Sequence, residues 1–198
     1  MSIDTIKRLY IITVIACIPV ILPGCAAPLV IATGTVAGGA VAVDKRTAGT
    51  YVEDEAIELK ARKDLLGDKP LNKQVHINFI SYNTKVLVSG EAPTEELRDQ
   101  VINIVKGIEK VSHIHDEIII AAPSSYLTRT GDTTITAKVK TKLLANRDLN
   151  PLYIKVVTEN GTVFLMGLIT REDAEKATEI TRNTGGVQKV VKLFEYTN

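Results

Sequence analysis

Moved along itself by 78 residues, the sequence meets itself again. Asp54 falls on Asp132, Ile57 on Ile135, Lys60 on Lys138, Leu65-Leu66 on Leu143-Leu144 and Leu71 on Leu149. One deletion makes the shift 77, and Ile77 then falls on Ile154, Asn83 on Asn160, Val86 on Val163 and Gly90 on Gly167. A shift of 76 brings Val111 onto Val187. Self-similarity at a fixed spacing marks copies of one structural unit. The chain therefore holds two modules, 52–122 and 130–198. They are joined by 123–129 within APSSYLTRTG, where Pro123, Ser124, Ser125 and Gly131 read as a linker.

Each module carries the same order of signals. A helix comes first, with a core stripe at Ile57, Ala61 and Leu65, or at Ile135, Val139 and Leu143. An alternating strand follows; in QVHINFI, Val75, Ile77 and Phe79 share one face. A turn comes next, SYNT or TENGT, the latter with the hairpin pair Asn160-Gly161. Then come a strand (VLVSG or VFLMG), a helix capped by Thr94 or Thr170 with acids in its first turn, and a closing strand. Gly107 and Gly185-Gly186 are expected to end the second helices. The order αββαβ gives one antiparallel hairpin and one parallel, right-handed crossover. The fold class is thus α+β, with a small mixed three-stranded sheet and two helices on one face in each module. Each module alone has a thin core, so packing of one on the other is expected.

The N-terminus has a different character. Lys7 and Arg8 precede an uncharged run from Leu9 to Leu22, and LPGC follows. Fourteen residues reach roughly 21 Å, short of the ~30 Å hydrocarbon core of a bilayer, and Pro19 and Pro23 weaken the run as a helix. This is the pattern of a signal peptide over 1–24. Its removal takes two of 24 basic and one of 23 acidic residues, leaving 22 of each. A neutral chain has no global field for nucleic acid, and none is expected as a partner. The lack of any Cys-x-x-Cys pair removes zinc-ribbon and thioredoxin chemistry. Residues 25–51 form the N-terminus and tether, and the small, Gly-rich stretch 26–43 reads as a tether or as a segment packed on the body.

LPGC resembles the lipobox of bacterial lipoproteins, although Pro23 stands where that family favours a small residue. The resemblance implies cleavage before Cys25 and a covalent lipid on its sulfur; Ala26 after it implies the outer membrane. The two repeats resemble the BON domain, with Gly90 and Gly167 at the family's glycine position. Together with DKRTAGTYVEDEAI at 44–57 and VTENGTVFLMGLITREDA at 157–174, they make the whole chain resemble the dual BON-domain outer-membrane lipoproteins. That resemblance implies a non-enzymatic, lipid-anchored protein facing the periplasm that supports envelope integrity. It also implies binding of anionic phospholipid through the first helix of module two.

In this sequence that helix is TITAKVKTKLLAN, 134–146. Lys138, Lys140 and Lys142 flank an outward strip of Thr134, Ala137, Thr141 and Leu144, and Ile135 of the core stripe is counted with these seven as a phospholipid-binding residue. A mild apolar strip edged by cations suits an anionic headgroup layer. The strip lacks an aromatic anchor. The matching helix of module one carries Glu53, Asp54, Glu55, Glu58 and Asp64 and is expected to be repelled. The alternatives are a module that docks outer-membrane assembly or division proteins and, behind it, a haemolysin-like cytolysin. No catalytic residues, cofactor (beyond the lipid on Cys25) or metal are expected. His113, His115 and Glu117 alternate on one strand face, but they read as a wetted sheet surface, with Ile114, Ile118 and Ile120 turned to the core. Ser89-Gly90 lacks the G-x-S-x-G frame of a nucleophile elbow, and no phosphate-binding loop occurs.

Overall fold

The computed structural model describes residues 45–197. The signal peptide, Cys25 and the stretch 26–43 lie outside the described residues.

Module one runs α1 (Ala48–Gly67), a short α2 (Lys69–Asn72), β1 (His76–Tyr82), β2 (Lys85–Ala92), α3 (Glu95–Lys106) and β3 (His113–Ile120). Module two repeats it as α4 (Tyr126–Ala145), a 3-10 turn (Pro151–Tyr153), β4 (Ile154–Glu159), β5 (Thr162–Ile169), α5 (Arg171–Arg182) and β6 (Lys189–Tyr196). Each sheet has its middle strand antiparallel to the preceding strand and parallel to the last, with orders β1-β2-β3 and β4-β5-β6. The α+β, αββαβ expectation therefore stands. Ile57, Ala61 and Leu65 bury against Phe79, Val86, Val88, Val101 and Val105; Val139 and Leu143 do the same in module two. Burial of each Val, Leu, Ile or Phe side chain among them contributes about 1.5–3 kcal/mol.

Two close approaches fix the pairing. Gly90 has φ +124°, and a Cβ there would lie 2.0 Å from the His76 carbonyl oxygen; at Gly167 the same atom would lie 2.3 Å from that of Tyr153. No other residue lets the hairpin partners come so near. The hairpin turns are held by buried carboxylates from the first helices. Asp54 accepts the Asn83 and Thr84 N–H groups, each at 2.8 Å, and the Ser81 hydroxyl at 2.6 Å. Asp132 accepts the N–H groups of Asn160 and Gly161 at 3.0 and 2.8 Å. In both turns the central residues have positive φ, the geometry that suits a two-residue hairpin.

The sheets carry a second core on their other faces. Tyr82 and Leu87 from module one meet Phe164 and Met166 from module two, with Ile80, Val157, Leu168, Val191 and Leu193 around them. Each sheet thus has helices on one side and the other module on the opposite side. The face expected to be wetted at His115 and Glu117 is half-buried, because this packing covers it. Ile114 and Ile118 do pack on the core, whereas Ile120 at the strand's end is exposed.

Three boundaries differ from the sequence reading. Helix α1 begins inside the expected tether, capped by the Thr47 hydroxyl, with Arg46 ion-paired to Asp54 at 2.7 Å. Helix α4 begins inside the expected linker, because the Ser125 hydroxyl accepts from the Thr128 N–H and caps it. Helix α5 ends at Arg182, ahead of Gly185-Gly186, with Asn183 as its cap, whose side chain and backbone N–H both return to Glu179.

Candidate functional site

Helix α4 presents a broad outer face because only one stripe of it packs inward. Asp132, Val139 and Leu143 are buried, and Ile135 is half-buried against the core and beside Gly186. Ile135 is therefore part of the inner stripe and not of the outer one. Thr134, Ala137, Thr141 and Leu144 are exposed on the opposite side, as are Lys138, Lys140 and Lys142.

The lysines are not equivalent. Lys142 Nζ donates to the Asn183 carbonyl at 2.7 Å, which ties it to the end of α5. Lys140 turns to a cleft of about 410 Å³ shared with Leu144, Leu152, Tyr51 and Tyr82. Lys138 is exposed.

The earlier start of α4 adds residues that the sequence reading left in the linker. Tyr126 and Leu127 are each 85% exposed at the first turn, and Leu144 is 66% exposed at the last. At 3.6 residues per turn all three fall on the face away from Val139. The aromatic group thought missing from this face is therefore present. The Ser125 cap was the signal that could have located it. The one acid within α4, Asp132, is spent on the Asn160-Gly161 turn, so the outer face carries cations and no carboxylate.

The contrast with α1 is smaller than the sequence suggested. Asp54 is buried on Arg46, Glu58 on Arg62 and Lys155, and Glu53 pairs with Lys110. Three of the five acids expected to repel a membrane are thus neutralised by partners. Helix α1 also exposes Val52, Leu59 and Leu66 at seven-residue spacing.

The His113 and His115 rings lie 4.5 Å apart, edge to face. Burial, then His113 and Lys85, lower the His115 pKa, against Glu195. A different histidine comes together with two carboxylates at the module boundary. His76, Glu91 and Glu159 place ligand atoms within 4.8 Å of one another, and both glutamates are buried. Burial lifts the Glu159 carboxyl to about 7, against hydrogen bonding from Asn78, while Glu91 and Asp132 push it the same way as burial. Burial, followed by Arg129, lowers the His76 imidazole. Among the described residues no helix is long and apolar enough to cross a membrane.

Comparison with known proteins follows the same division of the chain. The chain is 33% identical to "Outer membrane lipoprotein DolP" of Haemophilus influenzae, over 99% of each. It is 40% identical to the "21 kDa hemolysin" of Actinobacillus pleuropneumoniae, over 78% of this chain and 79% of that one. It is 27% identical to "Osmotically-inducible protein Y" of Escherichia coli, over 80% of each. The BON domain model matches residues 53–122 and again 131–198. Each match contains one sheet with its hairpin and crossover helix, and the chain belongs to the BON domain family, with two copies of the domain in tandem.

Proposed function

We propose that this chain is a non-enzymatic outer-membrane lipoprotein that supports the cell envelope. In this reading Cys25 carries the acyl anchor, the folded part faces the periplasm, and module two lays α4 on anionic phospholipid. The relative named as an outer membrane lipoprotein supports the setting. The observation that carries the contact is the outer face of α4, where Tyr126, Leu127 and Leu144 are exposed beside Lys138 and Lys140. An aromatic and two leucines enter the headgroup boundary, and the lysines meet its charge.

Co-sedimentation of fragment 45–198 with phosphatidylglycerol and phosphatidylcholine vesicles tests it. Binding is expected on the anionic vesicles alone and is lost at high salt. At about 1 kcal/mol per lysine, Lys138→Glu with Lys140→Glu lowers affinity by at least about tenfold. Tyr126→Ala with Leu127→Ala lowers it without changing the salt dependence. Binding that survives both pairs of substitutions overturns the assignment to α4.

A second reading has its own observation. Val52, Leu59 and Leu66 form an exposed apolar stripe on α1, which suits docking of an outer-membrane assembly or division protein. A partner held through this stripe is retained by the lysine variants and lost in Leu59→Glu. The cytolysin reading has support only from the name of one relative.

A further inference from the structure

We propose that His76, Glu91 and Glu159 form a binding site for a divalent transition-metal ion that clasps the two modules together. The argument starts from register. His76 and Glu91 are direct partners across β1 and β2, on the face of the first sheet that meets module two. Glu159 closes β4 of module two and comes to the same point, its Oε1 3.6 Å from His76 Nε2. Two donors on one zinc ion, each at about 2.0–2.2 Å, sit roughly 3–3.5 Å apart. The described separation is already close to that.

Glu91 is 1% and Glu159 4% exposed, and Asp132 lies within electrostatic range. Among the described residues the cation in reach is Arg129, whose Nη2 donates to the Ser124 carbonyl at 2.8 Å and whose guanidinium lies over the Tyr126 ring. Burial already raises the Glu159 carboxyl to about 7, so without an ion the group meets the crowding of charge by holding a proton. A divalent cation would take the place of that proton between Glu159, Glu91 and His76.

The surroundings are built as a metal ligand's surroundings are. The Asn78 amide donates to Glu159 Oε2 at 2.7 Å and leaves Oε1 turned towards His76. The Asn160 amide and the Ser124 N–H hold Glu91. Ser89 stands one rung along the same face of β2, directly opposite Asn78. Its hydroxyl is fully buried and has no hydrogen-bond partner. A water bound to the ion would satisfy it. A cleft of about 430 Å³ lined by His76, Asn78, Glu159 and Thr136 gives the ion a way in. One imidazole with two carboxylates suits zinc and its first-row neighbours, and three protein ligands leave a position for water.

The test uses the full chain in detergent, stripped of metal and titrated with zinc. It does not depend on whether α4 binds lipid. The chain has three histidines, so their imidazole signals in nitrogen-edited NMR report the site directly. One equivalent of zinc is expected to shift His76 and leave His113 and His115 in place. Calorimetry is expected to give one site, weakened at least about tenfold in His76→Gln and in Glu159→Gln and unchanged in His113→Gln. Zinc should also raise the melting temperature of the wild type. Absence of one-to-one binding below about 1 mM zinc overturns the proposal. So does a shift of His113 and His115 in place of His76, which the wild type reports even if a variant fails to fold.

Discussion

Asp54 and Asp132 occupy matching places in the two repeats, yet they carry unequal burdens. Asp54 receives two backbone N–H groups, the Ser81 hydroxyl and the Arg46 guanidinium, whereas Asp132 receives two backbone N–H groups. The turn it holds also differs. Thr84 sits at φ +64°, a strained position for a branched side chain, where module two has Gly161. Removal of the carboxylate is therefore costlier in module one. Asp54→Ala should lower unfolding free energy by about 3–5 kcal/mol and Asp132→Ala by about 1–3 kcal/mol. Urea melts of the two variants against the wild type measure the difference, and equal losses would contradict this account. The sequence placed these aspartates in register through the repeat. Their task was not visible there, because an acid in a charged helix gives no sign of whether it faces water.

At the scale of elements, the strands, hairpins and second helices were legible from alternation, from Asn160-Gly161 and from the threonine caps. The start of α4 was not. Its first turns read YLTRTGDTT, rich in residues that disfavour a helix interior, after a Pro-Ser-Ser run. The structure answers that poor propensity with hydroxyls that turn back on the helix. Thr130, Thr133 and Thr134 each donate to the carbonyl four residues earlier at 2.9–3.0 Å. Ser125 closes the end. Ser125→Ala should cost about 0.5–2 kcal/mol, spent mainly on the first turns of α4. Hydrogen exchange is then expected to speed up over 126–134 while 139–145 stays protected. Vesicle binding should fall with it if Tyr126 and Leu127 act as proposed. The His76–Glu91 pairing, by contrast, could have been counted from the hairpin register about Asn83-Thr84. Glu159 could not, since its approach depends on how the modules meet.

At the scale of the whole molecule, the two sheets cover each other. The sequence held a trace of this in VLVSG and VFLMG, runs that are apolar at successive positions and so have two faces to bury. Packing of one module on the other was expected from the thin cores, but the wetted reading of the His113, His115 and Glu117 face missed that the second core of Tyr82, Leu87, Phe164 and Met166 lies on that side of the sheet. That core makes the joint at Pro123-Ser124 a convenience of synthesis more than a brace. If a protease site is inserted there and cut, the halves should elute together at the size of the intact protein. They should part only under denaturant, and separate peaks in plain buffer would show that the covalent link alone holds them. Seen this way, the second copy of the domain does more than lengthen the chain. It gives each half a permanent companion of its own kind, always present at equal dose, so a sticky sheet face need never seek its cover from another molecule.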